Sequence, residues 1–73
     1  MWNRVKEMRT QKGMTQEELA DSAGVSRQTI ISIESGRYNP SIMLAYKLST
    51  TFGLSIEELF LCAEQIDRED QNE

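Results

Sequence analysis

The chain has 73 residues and a formal net charge of −4, with one cysteine and no histidine. That length allows a single domain, and a domain so small buries only about 60% of the surface its unfolded chain exposes, so it leans on well-capped helices or on a second copy. A lone Cys62 excludes an intrachain disulfide, no zinc site of four cysteines or of two cysteines and two histidines can be built, and no run reaches the roughly 18 apolar residues of a membrane span. The start, MWNRVKEMR, is charged from Arg4 onward and lacks the apolar centre of a signal peptide. Together these features point to a soluble cytoplasmic protein.

Helices are expected at 3–12, 16–23, 27–35, 42–52 and 56–64, and no stretch alternates as a strand would. In the first, Val5 and Met8 share a face, and Gly13 closes it. Thr15 opens the second as a capping box with Glu18, and Leu19, Ala20 and Ala23 line its inner side. Gly24-Val25-Ser26 turns the chain into the third helix, where Ile30 and Ile33 face inward until Gly36 stops it. Ser41 follows Pro40 and opens the fourth, with Ile42, Ala45, Leu48 and Phe52 on its expected core face. Gly53 ends that helix, Ser55 and Glu58 form a second capping box, and Leu59 and Phe60 anchor the fifth helix. Met14, Val25 and Leu54 plug the gaps between helices. Spacings of three and four throughout give an all-α, five-helix bundle. The last seven residues, 67–73, read DREDQNE; they carry no apolar periodicity and are expected to be a disordered acidic tail.

Helices two and three, with the short glycine-led turn between them, have the outline of a helix-turn-helix unit over 16–35, the arrangement that sets a second helix in the major groove of DNA. An ordinary helical hairpin has the same outline. The third helix separates the two readings. At about 100° per residue, Arg27, Gln28, Thr29, Ser32 and Ser35 gather on one side, with Ile31 at its edge and Ile30 and Ile33 opposite. That side carries no acid and mostly short side chains. Gln can pair bidentately with adenine, and Arg with guanine. Charge is divided accordingly: residues 1–50 hold seven basic and five acidic side chains, a balance of +2, whereas 51–73 hold one base and seven acids, a balance of −6. Screening over about 8–10 Å lets the two regions act separately.

The segments KGMTQEELA, GVSRQTI, IESGRYNPS and GLSIEELF, in that order, resemble the Cro and phage-repressor type of helix-turn-helix regulators, also called xenobiotic-response-element-type, over residues 3–60. The resemblance implies a lambda-repressor-like DNA-binding domain over 1–66 and sequence-specific binding of double-stranded DNA as a transcriptional regulator of the repressor kind. By position it assigns base reading to Arg27, Gln28 and Ser32 with Thr29 beside them, and phosphate binding to Gln16, Arg37, Tyr38 and Asn39. It allows Gln16 to brace Gln28 as well, and it matches Arg9 and Glu34 to a partly buried ion pair pinning helix one to helix three. Loop solvation, a turn before Pro40 and a helix first turn are the plain alternatives for Arg37 and Tyr38, for Asn39 and for Gln16. The chain departs from the pattern at Ile31-Ser32, where relatives often carry Ser-Lys, at Ser35 in place of Asn, and at Trp2. Ile31 either touches a thymine methyl or is a tolerated exposed residue.

Such modules bind as two-fold dimers on paired half-sites, so a homodimer is expected. Its surface would be Ile56, Leu61, Cys62 and Ile66 beside Met43 and Tyr46, unless these complete the monomer core. A protein-interaction role on the same fold, as in an antitoxin or bridging factor, is the alternative function, with the acidic 56–73 segment as docking element. Catalysis has no support. There is no histidine, no cysteine dyad and no phosphate-cradling glycine loop, and the pairs Glu17/Glu18 and Glu57/Glu58 sit in first turns where acids favour the helix dipole. No cofactor, metal, membrane or small-molecule ligand is expected.

Overall fold

Helices begin where a side chain takes up a backbone N–H group the helix cannot satisfy itself, a Ser or Thr cap for four of them and Asn3, ahead of an uncapped Arg4, for the first. In the computed structural model, which describes residues 2–60, these starts delimit α1 (Val5–Gln11), α2 (Gln16–Ala23), α3 (Arg27–Glu34), α4 (Ile42–Phe52) and α5 (Ile56–Phe60). Thr15 Oγ1 accepts from the Glu18 N–H at 3.0 Å while Glu18 Oε1 accepts from the Thr15 N–H at 2.8 Å. Ser55 and Glu58 repeat this reciprocal pair at 3.0 and 2.9 Å. Ser26 caps α3 and Ser41 caps α4 through single bonds to the N–H groups of Thr29 and Leu44.

The first helix starts two residues later than its apolar pattern suggests. Asn3 Oδ1 accepts the Val5 N–H at 3.0 Å, and its Nδ2 donates to the Ile33 carbonyl at 2.8 Å. An Asn side chain that bonds backbone locally draws the chain out of the helix, here tying the start of α1 to the end of α3. Arg4 N–H donates to the Leu59 carbonyl at 2.8 Å, which fastens the same segment to α5. Lys12 Nζ donates to the Thr51 carbonyl at 2.9 Å, a cation at the last turn of α4.

The buried core is Val5, Leu19, Ala20, Ala23, Ile30, Ile33, Leu44, Ala45, Leu48, Phe52, Leu59 and Phe60. Met8, Met14, Val25, Leu54 and Ile56 pack partly against it. Burying an aliphatic side chain of this size stabilises by about 1.5–3 kcal/mol. α2 packs chiefly on α3, α4 on α5 and α2, and α1 on α3 and α4. The expectation for α4 is corrected at its first turn: Ile42 is 81% exposed and Leu44 is buried instead. The inner stripe runs Leu44, Ala45, Leu48, Ser49 and Phe52, and Ile42 lies roughly 120° round the helix from Leu48. The buried Ser49 hydroxyl donates to the Ala45 carbonyl at 2.7 Å and so sits in the core at little cost. The assignments to 61–64, to Leu61, Cys62 and Ile66, and to the 67–73 tail lie outside the described residues.

Hydrogen bonds from the Thr15 backbone and then its hydroxyl hold the Glu18 carboxyl below the usual carboxylate range. The Ser55 backbone and hydroxyl, with a smaller contribution from the Arg4 charge, do the same for Glu58. The folded chain therefore binds fewer protons at these groups than the unfolded chain does. The stabilisation is complete above the unfolded carboxylate pKa and is lost as pH falls through the lowered folded value. Thermal unfolding followed from about pH 7 to about pH 3 should show the midpoint falling on the acid side. A Glu18→Gln, Glu58→Gln variant, whose amides still accept but do not titrate, should fall less steeply.

Candidate nucleic-acid interface

The turn between α2 and α3 depends on Gly24, whose φ of 70° is a left-handed conformation that side chains disfavour. Its N–H bonds the Asp21 carbonyl and the Val25 N–H bonds that of Ala20, so the last turn of α2 is closed before α3 begins. Ala20 and Ala23, both 2% exposed, let α3 approach closely. Ile30 and Ile33 are wholly buried and fix the rotation of α3 about its axis. Arg27 and Gln28 are then exposed, while Thr29, Ile31 and Ser32 are half-buried along the outer flank.

Glu34 is the one acid of α3, and it is withdrawn from that flank. Its side chain is 5% exposed and its Oε2 accepts from Arg9 Nε at 2.7 Å, with Arg9 Nη2 3.4 Å from Oε1. Arg9 Nη1 also donates to the Met14 carbonyl at 2.7 Å. Gln16 Nε2 donates to Glu34 Oε1 at 3.1 Å. Gln16 therefore braces Glu34 and not Gln28, because Glu34 offers a fixed charged acceptor at the α2 N-terminus. This partnership was not legible in the sequence, where no spacing links residues 16 and 34.

The loop after α3 folds back along the same flank. The Ser32 carbonyl accepts from Arg37 N–H at 3.1 Å and Tyr38 N–H at 3.2 Å, and from Ser35 Oγ at 2.9 Å. Gly36, with φ of 81°, makes the reversal possible. Arg37, Tyr38 and Asn39 are all exposed. The Thr29 hydroxyl lies 3.0 Å from Ser26 Oγ, so it is engaged in the cap at the start of the helix. Of the expected dimer residues, Ile56 is half-buried and packs on the core, which favours the monomer-core alternative for it. Met43, Tyr46 and Trp2 are exposed. Among the described residues no helix is long and apolar enough to cross a membrane.

A short-loop helix pair with an acid-free outer flank and a basic loop beside it defines a helix-turn-helix module. The helix-turn-helix family HTH_3 matches residues 5–59. A transcriptional regulator of the helix-turn-helix type from Archaeoglobus fulgidus is 52% identical over 61 residues, covering 84% of this chain and 87% of that one. The restriction-modification controller protein C.AhdI from Aeromonas hydrophila superposes with a TM-score of 0.71 at 38% identity, over 78% of this chain and 86% of that one. The biofilm regulator SinR from Bacillus subtilis, solved in complex with DNA, superposes with a TM-score of 0.67 at 38% identity, over 74% of this chain and 87% of that one. The chain belongs to this family of DNA-binding transcriptional regulators.

Removing Arg9 leaves the Glu34 carboxylate buried without its counter-charge, which costs about 3–5 kcal/mol. Arg9→Met should lower stability by that order in urea unfolding. The double variant Arg9→Met, Glu34→Leu should recover much of the loss, since an apolar pair needs no compensating charge.

Proposed function

We propose that the chain is a repressor that binds double-stranded DNA in a sequence-specific manner, with the exposed flank of α3 in the major groove. The observation that carries this reading is the flank itself: Arg27, Gln28, Thr29 and Ser32 lie outward in a stretch whose one acid, Glu34, is neutralised inside. Arg27, Gln28 and Ser32 read base edges, and Thr29 contributes from beside them. Arg37, Tyr38 and Asn39 hold the backbone on one side of the groove, and Gln16 with the N-terminus of α2 holds a phosphate on the other. The likeness to a regulator solved on DNA supports this reading. So does the charge balance of +2 over residues 1–50 against −6 over 51–73.

One module makes few phosphate contacts, so operator affinity calls for a homodimer on two half-sites about 34–36 Å apart. Exposed Ile42, Met43 and Tyr46 on α4 support pairing through that helix. The protein acts in the cytoplasm, as a DNA regulator, and without catalysis. Selection of bound sequences from random duplexes tests this reading, with a two-fold symmetric consensus as the expected result. Salt-sensitive, sequence-blind retention would instead favour a role built on protein partners.

Gln28→Ala should relax preference at one base pair and cost about 1–3 kcal/mol at the selected site. Arg37→Ala should weaken all sequences alike and reduce the salt slope of log K by about 0.9. Binding titrations over a range of salt concentrations measure both.

A further inference from the structure

The helix-turn-helix unit begins and ends on one carboxylate. Gln16 is the first residue of α2 and Glu34 the last of α3, and Gln16 Nε2 donates to Glu34 Oε1 at 3.1 Å. Glu34 is not free to follow a moving partner. Its side chain is 5% exposed, Arg9 Nε holds its Oε2 at 2.7 Å, and the Met14 carbonyl holds Arg9 in turn. Gln16 is half-buried, so its bond to Glu34 lies at the edge of the core and not within it. A primary amide nitrogen carries two N–H donors. Glu34 takes one, which leaves one for a further acceptor. An unrestrained Gln side chain gives up rotamer freedom when a ligand holds it, and that loss subtracts from binding. At Gln16 the bond to Glu34 moves this loss from binding to folding. The Glu34 charge is matched by Arg9, so it orients the amide without adding net repulsion toward a polyanion.

We infer that Glu34 is a positioning residue for the backbone grip: by fixing the Gln16 amide it sets where a phosphate sits relative to the bases under α3. The carboxylate that closes the reading helix thus keeps phosphate contact and base reading in step. The inference rests on the proposed docking of α3 in the major groove and on the phosphate contact of Gln16 within that reading.

The experiment titrates the full chain with the duplex obtained by selection, in which single phosphates are replaced by uncharged methylphosphonates. At one phosphate the wild-type protein should lose about tenfold in affinity, as for a hydrogen bond to a charged group. Gln16→Met, similar in length but without a donor, should lose most of that penalty and keep the penalties at other phosphates. In Arg9→Met, Glu34→Leu the Gln16 amide is intact but has no acceptor, and the penalty at the same phosphate should shrink as it does in Gln16→Met. Glu34→Gln, whose amide oxygen still accepts, should retain it. Binding is measured below the melting temperature of each variant, so that lost stability does not enter. A purely structural Glu34 would weaken all duplexes alike and leave the penalty at that phosphate in place in the double variant, and this result overturns the inference. A consensus bound with no phosphate whose penalty depends on Gln16 also overturns it and leaves base reading by α3 standing. Failure to select any consensus overturns the DNA reading and the inference together.

Discussion

One ion pair locks the orientation that the buried Ile30 and Ile33 give to α3. Glu34 closes the last turn of α3, and Arg9 reaches from α1 to hold it at 2.7 Å while bonding the Met14 carbonyl in the following turn. Gln16 adds a third element to the node from the first turn of α2. Three segments are thus bound to one carboxylate that is almost wholly excluded from water. Buried pairs of this sort contribute little net stability against an apolar replacement, but they penalise strongly any arrangement that separates the partners. The node acts as a register device: α3 cannot rotate or slide without stranding a charge. Asn3, bonded to the Ile33 carbonyl, restrains the same helix end with a neutral contact.

The same pair settles the electrostatics of the flank. An exposed Glu34 would lie within reach of a polyanion bound to α3. Folded, its charge is matched by Arg9 and removed from the surface, so the outer flank presents Arg27 with neutral hydrogen-bonding groups. The protein's acidity resides elsewhere, in the balance of −6 over residues 51–73. Overall net charge is therefore a poor guide to which partner such a chain accepts, because association responds to charge within about a Debye length of the contact.

Cap chemistry ties local sequence to this arrangement. Thr15 and Ser26 set the starts of α2 and α3, and Gly24 between them supplies the left-handed residue that the turn requires. The alanines of α2 then set how near the helices lie. The Ser32 carbonyl, accepting from three donors in the following residues, brings the basic loop alongside the helix it serves. Positioning of Arg37 and Tyr38 is thereby a backbone property. Side-chain substitutions at 37 and 38 can change the contacts without moving the loop.

Among the described residues, helix number and order and the starts of α2 to α5 were legible in the chain because each of these starts is encoded within four residues, as in Thr15 to Glu18 and Ser55 to Glu58, whereas α1 begins at Val5 and not at residue 3. The inward faces of α2 and α3 were legible too, since two or three apolar residues at spacings of three and four define them. The face of α4 was not fully legible. Its first turn holds Ile42, Met43 and Leu44 in succession, all apolar, and periodicity cannot choose among three adjacent candidates. The packing of α4 against α5, α2 and α1 decided that Leu44 goes inside and Ile42 remains outside. Likewise no local rule joins Gln16 to Glu34, Lys12 to Thr51 or Asn3 to Ile33, because these bonds arise where helices distant in sequence meet. The sequence by itself determined the helices and which residue types could face a partner. The tertiary structure decided which of those residues are free to do so, because exposure and hydrogen-bond partnership are properties of packed neighbours and not of spacing along a chain.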